Sequence, residues 1–160
     1  MLTEKEIEQL KSMSVLERSE AFVKILFKEK VDKANANYMD HLNHVSRDFT
    51  NARKKSLALM HDVLEDTYIT EIELKELGYE SSFIETLKVL TNTYETYDEY
   101  IDKIIESNNK DAFEIKIKDL LHNMDLTRLS KITAKDLKRT DKYVKAYLRI
   151  IKKLEGEELW

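Results

Sequence analysis

Apolar residues along this chain recur at helical spacing, and no stretch reads as a strand. Thr3 with Glu6 and Thr133 with Asp136 carry the pattern of a side-chain cap at a helix start, which predicts a first helix from Thr3 and a last one over 133–155. Residues 15–30 (VLERSEAFVKILFKEK) predict a second amphipathic helix, and the Asn-rich DKANANYMD (32–40) predicts a loop. A helix from about Tyr38 to Phe49 sets His41, Val45 and Phe49 at i, i+4 and i+8. Residues 55–66 predict a helix that is apolar on most of its surface. Thr70 and Glu73 open a short helix that Gly78 stops. Helices over Ser82–Leu90, from Tyr97 to about Asn108, and over 111–129 follow. In the last helix, Leu137, Val144, Tyr147, Leu148 and Ile151 predict a core stripe, with Lys135, Lys138, Arg139, Lys142, Lys145, Arg149, Lys152 and Lys153 as its solvated back. The pattern as a whole is an all-α bundle of about eight or nine helices with short connections.

Composition supports that class. The chain has 160 residues, which suits one compact domain over 1–160. Two glycines, no proline and 36% charged residues describe a helix-rich chain, not a sandwich or barrel. A net charge of −4 gives bulk nucleic-acid binding no electrostatic support. The absence of cysteine excludes disulfides and thiolate metal sites. MLTEKEIEQLK at the start lacks the apolar core of a signal peptide, and no apolar run approaches the ~18 residues of a membrane span. A cytoplasmic protein without a membrane partner is expected.

Residues 59–67, LMHDVLEDT, change the picture. His61, Asp62, Glu65 and Asp66 lie in a mostly apolar stretch, with no lysine or arginine from Ser56 to Leu74. One turn separates His61 from Glu65 and Asp62 from Asp66. Such carboxylates lose hydration and repel one another, so they become protonated or gather a cation. A divalent metal held by imidazole and carboxylate answers that problem; an acidic surface edge paired with lysines elsewhere is the alternative. In 111–129, Phe113, Ile117, Leu120, Leu121 and Met124 form one apolar face, with Lys116, Asp119 and Asn123 together on a flank. That flank suits either a ligand with a substrate contact or a solvated Lys–Asp pair.

HDVLEDTYIT (61–70) followed by IKIKDLLHNM (115–124) resembles the hydrolase domain of the RelA/SpoT alarmone enzymes and their stand-alone small relatives. These are a subgroup of the HD metal-dependent phosphohydrolases. YMDH (38–41) is similar to the family's Tyr-x-x-His, and LTN (90–92) to its Leu-Thr-Lys. The motif-bearing core spans about 32–129, with 133–155 as a packing helix. The resemblance implies that His41, His61, Asp62 and Asp119 bind the metal. The family metal is usually Mn²⁺, and the donor set also suits Fe²⁺ or Zn²⁺. It makes Glu65 and Asp66 the catalytic acids, Asn123 a nucleotide contact and Lys33 a basic residue before the first histidine. The Tyr38 spacing selects His41 over His44 as ligand; His122 is read as structural or as a donor behind the ligands.

The family's Arg-Lys-Ser-Gly-x-Pro-Tyr loop reads D-K-A-N-A-N-Y here, with Asp32 in place of the arginine that stacks on guanine. Asn92 replaces the lysine of Leu-Thr-Lys, and Lys118 an alanine of the second motif. Phosphate-facing charge is then expected from Lys33, Lys116 or Arg128. The nucleotide-synthesising domain of the long enzymes has no counterpart, so hydrolysis alone is expected: guanosine 3′-pyrophosphates to GDP or GTP plus pyrophosphate. Neutral histidines are needed to ligate, so activity should fall below pH ~6.5. The rival readings are an HD phosphohydrolase acting on another phosphorylated nucleotide, such as an adenosine alarmone or NADPH, and a non-catalytic helical interaction module. Association into a homo-oligomer is left open.

Overall fold

The computed structural model describes residues 2–156; residues 1 and 157–160 of the expected 1–160 domain lie outside the described residues. The helices are α1 (Glu4–Lys11), α2 (Val15–Leu26), α3 (Tyr38–Ser46), α4 (Ala52–Met60), α5 (Val63–Asp66), α6 (Glu71–Glu76), α7 (Ser81–Leu90), α8 (Tyr97–Glu106), α9 (Lys110–Met124) and α10 (Ala134–Glu155), with a 3-10 turn at Leu126–Arg128. With α4 and α5 taken as one broken helix there are nine, and no strand occurs among the described residues. Reciprocal caps open α1, α2, α6, α8 and α10: the pairs are Thr3–Glu6, Ser14–Glu17, Thr70–Glu73, Thr96–Glu99 and Thr133–Asp136. Each satisfies backbone amides that a helix start leaves unpaired. No helix among the described residues is long and apolar enough to cross a membrane.

Two expected helices are interrupted, and both interruptions serve the site. The 55–66 helix breaks at His61–Asp62, where Asp62 takes φ −99° and ψ 1°. His61 Nδ1 bonds the Ala58 carbonyl at 2.7 Å, an acceptor that a continuing helix would offer to the amide of Asp62. The 111–129 helix stops at Met124, where the Asp125 carboxylate takes the amide of Thr127 at 3.0 Å and its hydroxyl at 2.5 Å. The 32–37 turn is built on another side chain. Asp32 Oδ1 accepts from the amides of Ala34 (2.8 Å) and Ala36 (2.9 Å), and Asn35 sits at φ 61°, a conformation asparagine tolerates.

The core has two lobes. One gathers buried residues of α1–α4, α6 and α7, among them Phe22, Leu42, Leu57 and Leu87. The other lies between α8, α9 and α10 and holds Tyr100, Ile104, Phe113 and Ile150. Helix α9 serves both: Ala112 and Ile115 enter the first lobe, Phe113, Ile117 and Leu120 the second. It is therefore covered on two flanks and carries Asp119 into the seam between the lobes.

The stripe expected on the last helix is met in part, since Tyr147 and Ile151 pack inward. Leu137 (56%), Val144 (40%) and Leu148 (58%) are exposed, and so is Leu121 of α9. The packed face of α10 is Tyr143, Ala146, Tyr147, Ile150, Ile151 and Leu154. Two tyrosines and an alanine compose much of that face. The expected stripe, which took in Leu137, Val144 and Leu148, therefore lies roughly a quarter of a turn from the packed face, given ~100° per residue. Ile150→Ala is expected to cost about 2–5 kcal/mol and Leu148→Ala no more than ~0.5 kcal/mol. Urea denaturation followed by circular dichroism measures both, and equal losses would contradict this assignment.

Candidate metal centre

The break between α4 and α5 turns His61 and Asp62 toward one point. On a continuous helix they would diverge by ~100°. Helix α3 brings His41 to the same point, and α9 brings Asp119. His41 Nε2 lies 3.3 Å from His61 Nε2, 3.7 Å from Asp62 Oδ2 and 3.3 Å from Asp119 Oδ1. His61 Nε2 lies 3.0 Å from Asp62 Oδ2 and 3.7 Å from Asp119 Oδ1. His41, His61 and Asp62 each offer one atom within 4.8 Å of the other two, a group that could hold a metal ion. Asp119 falls outside that mutual group and reaches the point from the imidazole side.

The donors fit a divalent cation. The Ala58 carbonyl only accepts, so His61 Nδ1 carries the hydrogen and the neutral ring turns its Nε2 lone pair inward. Two imidazole nitrogens and two carboxylates this close repel one another unless a proton or a metal sits among them. Separations of 3.0–3.7 Å suit neighbouring ligands about 2.1 Å from one ion. Imidazole and carboxylate without sulfur suit a divalent transition metal.

The acids are held from outside the centre. Lys116 Nζ lies 2.8 Å from Asp119 Oδ2, and Asn123 Nδ2 donates to Asp119 Oδ1 at 2.5 Å. Lys116 and Asn123 line the cavity, but their polar heads are engaged with Asp119. Tyr38 donates to Asp62 Oδ2 at 2.5 Å and reaches Asp66 Oδ2 at 3.1 Å. Lys30 lies 2.6 Å from the same oxygen of Asp66. Glu65 accepts from the Asn92 amide at 2.9 Å, and burial raises its pKa.

These side chains open on a cavity of about 510 Å³. Of the sequence-selected residues, all but His61 line it; His61 sits behind, wholly inside the protein. Arg128 is bonded to Asp32, to His122 Nδ1 (3.2 Å) and to the His122 carbonyl (3.0 Å). Lys33 faces in from the 32–37 turn. Burial lowers its pKa most, followed by the charges of Arg139 and Lys142. Arg139 and Lys142 line the cavity too, instead of belonging wholly to a solvated back of α10. They and Lys30 are the cavity cations that the sequence analysis did not select as site residues. Lys30 stands at the edge of the Asn-rich loop, and the three-residue spacing of Arg139 and Lys142 marks one flank; neither signal says which way the group faces. His44 does not touch the acids: its ring stacks on His122 at 4.0 Å. His122 in turn lies against His41, with their Nδ1 atoms 2.7 Å apart. Burial first, then the His41 and Arg128 charges, press its pKa down to about 4.

Without metal, a proton takes the ion's place. Burial pushes the His61 imidazolium down, but Asp62 and Asp119 outweigh it and hold its pKa well above the usual value. Burial likewise pushes Asp62 and Asp119 up. It is outweighed by His61 at Asp62, and by Lys116 with the two imidazoles at Asp119, so both pKa values are depressed. The His61 contribution to metal-free stability is full below about pH 6.5 and is lost as pH rises through the folded value. The aspartate contributions are present above about pH 4 and are lost as pH falls through the folded values. Metal must displace the His61 proton. Its apparent affinity is therefore expected to rise about tenfold per pH unit and to level off only above pH 6.5. Titration calorimetry in buffers of different ionisation heat counts the proton released; an affinity flat between pH 5.5 and 8 would contradict this.

Compared with known proteins, the chain matches no family model and no curated protein by sequence. Nine chains of solved structures match it. One is a metazoan ortholog of SpoT, described as hydrolysing ppGpp and playing a role in starvation responses. It is 21% identical to this chain, the match covers 90% of this chain and 87% of that one, and the TM-score is 0.70. The likeness runs through nearly the whole of both chains, and the chain has the HD-type helical fold.

Proposed function

We propose that this chain is a metal-dependent phosphohydrolase that releases pyrophosphate from the 3′ position of guanosine alarmones, with Mn²⁺ as its metal. The observation that carries the reading is the convergence of His41, His61, Asp62 and Asp119 at the wall of a cavity that Glu65 and Asp66 also line. The fold likeness to a SpoT ortholog supports it. Charge supports it as well. Six lysines and arginines and six acids line the cavity, so a bound divalent ion leaves it net positive, as a polyanionic substrate requires.

When bound, the metal polarises a phosphate oxygen and lowers the pKa of a water. Glu65 and Asp66 divide the remaining work. Asp66 has Lys30 and Tyr38 on one oxygen, which engages that oxygen within the protein. Glu65 is held by a single backbone amide and its pKa is raised, so it is the better carrier of the water's proton. The water oxygen bonds to the phosphorus attached to the ribose 3′ oxygen. The bond to that oxygen breaks, the proton ends on it, and pyrophosphate leaves. Lys33, Arg139 and Lys142 face the cavity together and suit the remaining phosphates.

One observation favours a second reading in which the base is not guanine. The 32–37 turn offers no arginine, and its Asp32 is committed to the turn's own amides and to Arg128. An adenosine alarmone or NADPH then becomes the substrate of the same centre.

A panel of guanosine and adenosine 3′-pyrophosphates and NADPH, assayed with Mn²⁺ for pyrophosphate against phosphate release, tests the reading. Pyrophosphate from the guanosine compounds alone is expected, and release from none of the panel would refute it. Asp62→Asn is expected to lose both metal and turnover. Glu65→Gln should bind metal normally and turn over about 10²–10⁴-fold more slowly; full activity would remove Glu65 from the proton transfer.

A further inference from the structure

His122 lies behind the ligands, and its contacts fix the hydrogens around it. Arg128 Nη1 approaches His122 Nδ1 at 3.2 Å, and a guanidinium only donates. His122 Nδ1 is therefore a lone pair. His41 Nδ1, 2.7 Å from the same atom, must then carry the hydrogen and donate it. This sends the lone pair of His41 to Nε2, the atom that faces His61, Asp62 and Asp119. His122 thus acts as an acceptor, where the sequence had suggested a structural residue or a donor. Stacking on His44 at 4.0 Å fixes the plane of its ring, and the ring is 7% exposed. Behind it, Arg128 also holds the His122 carbonyl at 3.0 Å and is ion-paired to Asp32. The other oxygen of Asp32 accepts the amides of Ala34 and Ala36. One hydrogen-bonded chain thereby runs from the 32–37 turn, through Asp32, Arg128 and His122, to the far nitrogen of His41.

We propose that His122 is a positioning residue for the metal centre and that Asp32, through Arg128, ties the order of the 32–37 turn to metal affinity. The proposal rests on the metal reading above and gives Asp32 a task other than contacting a base. Groups that orient a ligating imidazole typically change metal affinity by about 10–100-fold when removed. Asparagine places its Oδ1 at the same bond count from the backbone as Nδ1 of histidine, so it restores the acceptor without the ring.

The test is titration of the metal-free protein with Mn²⁺ alone, read by calorimetry, with far-UV circular dichroism to confirm that each variant is folded. Wild type is expected to bind one ion. His122→Leu should bind about 10–100-fold more weakly, His122→Asn close to wild type, and Asp32→Asn more weakly than wild type but less so than His122→Leu. Equal affinities for wild type and His122→Leu would overturn the positioning role even though the metal reading stood. Equal affinities for wild type and Asp32→Asn would overturn the tie to the turn. A loss in His122→Asn as large as in His122→Leu would assign the effect to ring packing and overturn the acceptor argument. No uptake by wild type would remove the metal reading, and this proposal with it.

Discussion

The removal of two aspartates from water beside two imidazoles is the constraint on which the rest of the structure depends. Asp62 and Asp119 meet His41 and His61 at separations of 3.0–3.7 Å, inside a bundle whose own core is aliphatic and aromatic. A buried carboxylate without a partner is strongly unfavourable, so each oxygen must be answered. Lys116, Asn123 and Tyr38 answer three of those demands from the sides. What is left at the middle is a space bounded by inward-facing nitrogens and oxygens, which a single positive species satisfies. A proton or a divalent ion would each take the Nε2 lone pair of His61, so protonation of His61 and metal uptake exclude each other.

That constraint explains features that local sequence preference does not. A run as apolar as 55–64 would continue as one helix, yet the backbone yields at His61–Asp62 so that two adjacent side chains share a target. Helix α9 needs cover on two flanks to carry Asp119 at so low an exposure, and the two-lobed core supplies it. The 32–37 turn, without glycine or proline, takes its shape from the Asp32 carboxylate. The same carboxylate anchors Arg128, so turn and centre are not independent parts.

Much of this was legible in the chain itself. Helix starts were marked by Thr–Glu and Thr–Asp pairs whose side chains do cap the helices. The HDVLEDT and IKIKDLLHN segments named side chains that meet in space. The orientation of helices against distant neighbours was not legible. Leu137, Val144 and Leu148 form a stripe by periodicity, but Tyr143, Ala146 and Ile150 take the face packed against α8 and α9. The same rotation carries Arg139 and Lys142 to the cavity. Lys30 was missed for a related reason: its partner Asp66 is far along the chain, and only the path of α2 into the loop brings them together.

The cations around the cavity divide by what they face, and that division bears on substrate. Lys30, Lys116 and Arg128 are each within ion-pair distance of a carboxylate, namely Asp66, Asp119 and Asp32. They balance the acids and have little attraction left for a ligand. Lys33 and Lys142 are different: their pKa values are lowered first by burial and then by neighbouring cations, with Asp119 and Asp66 partly offsetting this at Lys33. Arg139 shares its guanidinium with Asp136 and still presses on both. On the proposed function, a bound phosphate chain would offset the repulsion among these cations. Under the proposed function the two ends of the cavity would make separate demands on one substrate: a phosphorus centre at His41 and Asp62, and further anionic oxygens at Lys33 and Lys142. On that reading a simple phosphomonoester would meet only the first, and a nucleotide phosphorylated at two positions would meet both.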